Sequence, residues 1–286
     1  MFIGTDRLTH TYMPGTPYAK KALDNVSFEI KQGGFALVIG RSGSGKSTLI
    51  QHLNGLLKPT SGRVFFDGHD LGQKGSELLK IRRKIGLVFQ MPEELFFSET
   101  IFDEIAFAPR NLGLEETEVQ TRVIEALEEV GMEAEQFIDR HPFQLSAGQK
   151  RMVALAAVLS LRPEVLILDE PTAGLDHSGQ KILFKLLASL NKKKNMTFII
   201  CTHHLDQVAA LADQVLVLQE GRLVMDGFPQ KIFGRRSQLI EMGLSPPVTA
   251  EIMADLAERG LDVRSDIFNL EDARAEINRL RRHRVK

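Results

Sequence analysis

Cysteine is almost missing from this 286-residue chain: Cys201 stands alone, inside the apolar run Thr197-Phe198-Ile199-Ile200-Cys201. One thiol excludes an intrachain disulfide and a multi-cysteine zinc site, and it suits a reducing compartment. Excess charge is missing too, since 36 Lys and Arg face 37 Asp and Glu for a formal charge of -1. That balance offers no long-range pull on a polyanion, so no nucleic acid partner is expected. The basic runs Lys192-Lys193-Lys194 and Arg281-Arg282-His283-Arg284 read as solvated helix ends or tails. No stretch approaches the ~18 consecutive apolar residues of a membrane span. The start, Met1 to Asp6, lacks a charged region followed by an apolar core, so neither a signal peptide nor a bilayer crossing is expected. A hydrophobic content of 43% suffices for a large core: one elaborate domain, or one domain with an appendage.

What is present is phosphate-handling chemistry, twice. Gly40-Arg41-Ser42-Gly43-Ser44-Gly45-Lys46-Ser47 has two glycines flanking four residues, then Lys and Ser. Phe35-Ala36-Leu37-Val38-Ile39 before it reads as a buried strand, and Ser47 to Leu53 after it as a helix start. Glycines let backbone N–H groups curl around an oxyanion, and the following helix end adds partial positive charge. Lys46 is expected to reach β and γ phosphates, and the Ser47 hydroxyl to ligate Mg²⁺.

The apolar run Val165-Leu166-Ile167-Leu168 ends in Asp169-Glu170, which places two carboxylates at a strand C-terminus, where open α/β sheets bind ligands. Alone, such a pair is often a solvated turn. Beside the loop, Asp169 is expected to hold Mg²⁺ directly or through water, and Glu170 to polarise the attacking water. The second anion-binding helix end is Leu145-Ser146-Ala147-Gly148-Gln149, with Ser146 as N-cap and small residues that leave the backbone open. One nucleotide's phosphates would already have a complete cradle in the first loop, so this end must serve something else.

Loop, carboxylate strand and pentapeptide, in this order, resemble the ATP-binding cassette (ABC) ATPases, whose signature helix binds the γ phosphate held by a second subunit. Four more positions fit the resemblance. Gln90, after Lys84 to Phe89, matches the glutamine that senses metal, water and partner. Asp176 in Ala173-Gly174-Leu175-Asp176 matches the loop that crosses the dimer interface. His203 matches the switch histidine at the γ phosphate. Tyr12 sits where the family stacks an aromatic ring on adenine, with Tyr18 close enough to compete. The resemblance covers about residues 2 to 230. It departs at Ala147, where glycine is usual, and at His204, where an acidic residue is common, while Glu170 and His203 are both kept. Retention of those two argues against a non-hydrolysing subunit.

The resemblance implies that Glu170, His203 and Gln90 serve catalysis and that Ser47, Gln90 and Asp169 hold Mg²⁺. ATP would contact Tyr12, Gly40, Ser42, Gly43, Ser44, Gly45, Lys46, Ser47 and Thr48 of one chain. Ser146, Gly148, Gln149 and Asp176 would reach it from the opposed chain.

For the remaining architecture, Val26 to Ile30 alternate before a turn at Gly33-Gly34, and Gly62 to Gly68 read as a short strand closed by Asp-Gly, so a small antiparallel β layer is expected. From about 92 to 162 the pattern is helical, with Val119, Val123, Ile124, Leu127 and Val130 on one face and Gly131 as a stop. Continuous apolar runs at 165–168, 198–201 and 215–218 predict buried parallel strands. The expected fold is an α/β P-loop NTPase of ABC type: a doubly wound, parallel RecA-like core, an antiparallel β subdomain, an inserted helical signature subdomain and a small C-terminal helical appendage. The expected division is an ATP-binding domain over 1–228 and an extension over 229–286. In the extension, Ile252 and Leu256 share one helical face, and Leu270, Ala273, Ile277 and Leu280 another.

Finer segments, Gly15 to Leu23, Gln51 to Thr60 and Phe96 to Phe107, resemble the ATPase subunits of energy-coupling factor transporters. Gly15-Thr16-Pro17 is nearer to the second of their two ATPase types. In such systems two ATPases, identical or related, energise a transmembrane scaffold that works with a substrate-binding membrane protein for vitamins or metal ions. This implies a peripheral protein on the cytoplasmic face of the membrane. Pro92, Leu95, Phe96 and Phe97 are apolar where the chain leaves Gln90, and Phe96 and Phe97 read either as an exposed pair for a partner's helix or as core. The family often has Gln near Leu95. Open alternatives are another ABC transporter class, a soluble ABC ATPase on DNA or ribosomes, and a regulator that never turns over. The transported substrate is not written in this chain.

Overall fold

The computed structural model describes residues 2–72, 76–264 and 266–283, which leaves Met1 and Arg284 of the C-terminal basic run outside. Two sheets organise it. Strands β1 (Ile3–Tyr12), β2 (Lys20–Ile30), β4 (Ser61–Phe66) and β5 (His69–Asp70) form an antiparallel sheet in the order β2-β1-β4-β5. The other sheet, in the order β10-β9-β3-β8-β7-β6, uses β3 (Phe35–Ile39), β6 (Ile85–Val88), β7 (Val165–Asp169), β8 (Thr197–Cys201), β9 (Gln214–Gln219) and β10 (Arg222–Gly227). Its pairings are parallel except for β10, which runs antiparallel to β9 at the edge.

Strand alternation sorts the apolar runs into two cores. Phe35, Leu37, Ile39, Leu166, Leu168, Phe198 and Ile200 face one side, whereas Ala36, Val38, Val165, Ile167, Ile199 and Cys201 face the other. A sheet buried on both faces has no polar positions to alternate with, which is why these strands read as unbroken hydrophobic runs. Helix α1 (Lys46–Leu53) and the antiparallel sheet cover the second side. On the first side lie α3 (Ile101–Asn111), α4 (Glu116–Glu129), α6 (Ala147–Leu159) and α7 (His177–Lys194); α2 (Ser76–Arg83) precedes β6 and α5 (Ala134–Phe137) follows α4.

Beyond β10 come α8 (Pro229–Phe233), α9 (Arg236–Glu241), α10 (Val248–Glu258) and α11 (Leu270–His283). Ile232, Phe233, Leu239, Ala250 and Phe268 join the main core, while Met253, Ile267 and Ala273 form a separate small cluster.

Three sequence readings are corrected. On α4, Val119, Val123, Ala126 and Leu127 are buried and Ile124 is exposed, because Ile124 lies one step off the stripe. On α10 the buried positions are Thr249, Ala250 and Met253, which turns Ile252 out to solvent, and Leu270 is exposed at the first turn of α11. Phe96 is buried and Phe97 is 65% exposed, so they are not a pair: the chain turns outward between them, and Phe97 meets the Phe107 ring edge-on at 4.9 Å.

Candidate functional site

The loop between β3 and α1 folds because its glycines permit what other residues resist. Gly45 caps α1 with φ 106, and a Cβ there would stand 2.7 Å from the Ala22 carbonyl oxygen, so a side chain is excluded both by conformation and by space. Gly43 has φ 79 and faces open space. The Lys46 ammonium curls back over the loop, donating to the carbonyls of Gly40 at 2.7 Å and Arg41 at 3.1 Å, which fixes the cation inside the cradle.

Across the sheet, β7 ends beside this loop. The Ser47 hydroxyl donates to Asp169 Oδ2 at 3.1 Å. Burial pushes the Asp169 carboxyl above its ordinary range, against the pull of the Ser47 bond, and the neighbouring Glu170 charge adds to the rise. Glu170 adopts a left-handed backbone, φ 44, with its N–H donating to the Cys201 carbonyl at 2.8 Å. Such a conformation costs a non-glycine residue about 1 to 3 kcal/mol and concentrates at working sites. Its side chain is held on both oxygens: Thr202 Oγ1 donates to Oε2 at 3.0 Å, and His203 Nδ1 lies 2.7 Å from Oε1.

Tyr12, Gly40, Ser42, Gly43, Gly45, Lys46, Ser47, Thr48, Gln90, Asp169, Glu170 and His203 thus line one cavity of about 830 Å³. Ser44 is buried behind it. Tyr12 donates to or accepts from Thr48 Oγ1 at 3.1 Å and stands edge-on to His10, which orients its ring; Tyr18 is exposed and does not line the cavity.

Ser146, Gly148, Gln149 and Asp176 do not line that cavity. Ser146 heads α6 with a capping box: its Oγ accepts from Gln149 N at 3.3 Å, and Gln149 Oε1 accepts from Ser146 N at 3.0 Å. The Gln149 side chain is thereby committed to the cap. Nothing lies within 4 Å of where a Gly148 side chain would begin, so the backbone at this helix end is open. Asp176 caps α7 by accepting from Gly179 N at 2.8 Å.

Sequence reasoning missed several lining residues. Lys20, Lys21 and Ala22 come from β2, Glu220 and Gly221 from the β9–β10 turn, and Gly243, Leu244 and Ser245 from beyond α9. None carries a local motif, so only the tertiary approach reveals them. Arg151, also missed, is the largest wholly buried side chain: its Nη2 donates to the Ala173 carbonyl at 2.9 Å and lies 3.4 Å from Glu93 Oε1. It ties the helix behind Ser146 to the segments that follow Gln90 and Glu170.

Comparison with known proteins gives consistent likenesses. A family profile described as ABC transporter matches residues 23–173. The energy-coupling factor transporter ATP-binding protein EcfA2 of Clostridium acetobutylicum is 49% identical over 280 residues, 98% of either chain. Its counterpart in Clostridioides difficile is 49% identical over 285 residues, 99% of either chain. Among solved structures, cbiO1 of Clostridium perfringens, described as part of the ABC transporter complex cbiONQ, has a TM-score of 0.74 and 38% identity, covering 88% of this chain and 98% of its own. The ATP-binding cassette MJ0796, a dimer in a post-hydrolysis state bound to ADP and Pi, has a TM-score of 0.71 and 32% identity, covering 80% of this chain and 99% of its own.

Proposed function

This chain belongs to the ABC transporter family of ATPases, and from that premise we propose that it is the ATP-hydrolysing subunit of an energy-coupling factor importer, active as one half of an ATPase dimer. The observation that carries the reading is the division of the phosphate-binding parts. Lys46, Ser47, Asp169, Glu170 and His203 converge on one cavity, while the capped, open end of α6 at Ser146 and Gly148 stands outside it. A second copy, or a related ATPase, placed head to tail would bring that end onto the terminal phosphate.

Each residue then has a task. Lys46 and the loop amides bind the phosphates, and the Tyr12 ring supports the adenine. Glu170, oriented by Thr202 and His203, accepts a proton from the attacking water. His203 is placed to sense the terminal phosphate through the same carboxylate. Magnesium fits the donors present: Ser47 Oγ and Asp169 Oδ2 are hard oxygens 3.1 Å apart, and the buried Asp169 beside Glu170 is a concentration of negative charge that a cation would relieve. Gln90 completes that set. Mg²⁺ held by these residues would supply neutralisation of the phosphate charge.

ATP joins two protomers that otherwise present opposed acidic sites, and hydrolysis weakens the joint. Closure would move α3 to α6 together with the exposed Leu95, Phe97 and Phe107, the surface we assign to a transmembrane scaffold's helix. Among the described residues no helix is long and apolar enough to cross a membrane. In the proposed assembly the pore and the vitamin- or metal-ion-binding subunit are other chains, and this one docks on the cytoplasmic face. Affinity purification from detergent extracts of membranes tests the assignment. Co-purification of integral membrane chains in fixed ratio is expected; recovery without any membrane partner would contradict it.

A further inference from the structure

The nucleotide cavity is walled partly by residues that lie outside the ATP-binding domain drawn from sequence. After α9 the chain turns at Gly243, φ 70, with Gly243 N donating to the Ile240 carbonyl at 2.8 Å and Leu244 N to the Leu239 carbonyl at 2.9 Å. Met242 and Leu244 pack on the main core, and Val248 N donates to Asp206 Oδ1 at 2.7 Å, three residues beyond His203. The segment is therefore pinned at both ends to the body that carries the site. Gly243, Leu244 and Ser245 line the cavity, and so does Arg41 of the phosphate loop.

Gly243 and Arg41 touch. A Cβ on Gly243 would stand 3.0 Å from Arg41 Cδ, 3.2 Å from Nε and 3.3 Å from Nη1, so the Arg41 side chain occupies the space that a larger residue at 243 would need. No carboxylate among the described residues pairs with Arg41. Arg41 is exposed at the cavity lining, and its planar fork matches phosphate oxygens two at a time.

We propose that the C-terminal extension completes the nucleotide site: Gly243 to Ser245 hold the Arg41 guanidinium at the cavity mouth as a second cation, after Lys46, for the terminal phosphates. The proposal rests on the reading of this cavity as the ATP site. Lys46 serves the phosphates from within the loop, and Arg41 at the mouth would meet the terminal phosphate, which a diphosphate lacks. Gly243 is then a positioning residue, acting through Arg41.

Equilibrium binding of fluorescent ATP and ADP analogues to the full chain tests this. Arg41→Ala should weaken ATP about tenfold and ADP much less, and Arg41→Lys should restore part of the loss. Gly243→Val should reproduce the ATP loss with Arg41 intact, yet add nothing in the Arg41→Ala background, because both changes remove one interaction. If the valine variant fails to fold, the Arg41 pair decides alone. Unchanged ATP affinity in Arg41→Ala, equal losses for ATP and ADP, or additive losses in the double variant would overturn the proposal. Lys46→Ala, run in parallel, separates the two levels. If it loses ATP while Arg41→Ala does not, the cavity stands and this inference falls; if it too binds as wild type, the underlying site reading falls.

Discussion

His203 Nδ1 lies 2.7 Å from Glu170 Oε1, and Thr202 Oγ1 holds the other carboxylate oxygen at 3.0 Å. The carboxylate to which we assign the proton is thus aimed by the residues that follow β8, and its left-handed backbone is pinned to Cys201 of that strand. Glu170→Gln keeps the size but replaces one carboxylate oxygen with an NH2 that donates, so one of the two contacts must reverse its direction and the basic oxygen is gone. It should leave ATP affinity near wild type and lower steady-state hydrolysis by about 10² to 10⁴ fold, measured by phosphate release. Wild-type turnover in this variant would remove Glu170 from its role.

Lys46→Ala removes the ammonium that the loop carbonyls hold over the cavity. Loss of one charge-assisted contact to a phosphate should weaken ATP by about 10 to 100 fold, with secondary structure by circular dichroism unchanged. Isothermal titration with ATP reads it.

The wholly buried His52 packs 4.7 Å from the His10 ring, and burial, then the His10 charge, pushes its pKa down from 6.5 to about 4. A histidine kept neutral in the fold contributes stability that is present above 6.5 and is lost as pH falls toward about 4, because the unfolded chain takes up the proton first. Thermal midpoints between those pH values should fall more steeply for wild type than for His52→Leu. Parallel curves would show that His52 is not the group responsible.

Arg151 is buried with one donor on the Ala173 carbonyl and one toward Glu93. Arg151→Ala strands the Glu93 carboxylate and opens a cavity, and should cost about 3 kcal/mol in a denaturant titration. Replacing both partners, Arg151→Met with Glu93→Leu, should recover most of that stability. Hydrolysis need not recover with it, since the tie between the segments after Gln90 and Glu170 is then gone.

Local grammar made much of this legible. The phosphate loop, the carboxylates at the end of β7 and the Ser146 cap are each set by a few adjacent residues, so spacing alone located them. The apolar runs of β3, β7, β8 and β9 declared a sheet buried on both faces. Phase was harder. Ile124 and Ile252 each sit one step from a buried residue, where a helix turns a side chain away by about 100°, and Leu270 is exposed because it begins α11. Phe96 and Phe97 look alike in sequence, yet the irregular chain after Leu95 sends one in and one out. Least legible were Lys20, Gly221 and Gly243, because their place at the cavity depends on contacts between segments far apart in the chain.

The central claim is that one nucleotide is held by two protomers. The most direct measurement is the mass, by analytical ultracentrifugation with ATP, of the Glu170→Gln chain alone and with its co-purified ATPase partner. The account predicts an ATP-dependent dimer that reverts to protomers when Ser146→Arg is added to both chains. A protomer that stays single with ATP bound, in a preparation whose wild-type form hydrolyses ATP at full rate as a monomer, would contradict it.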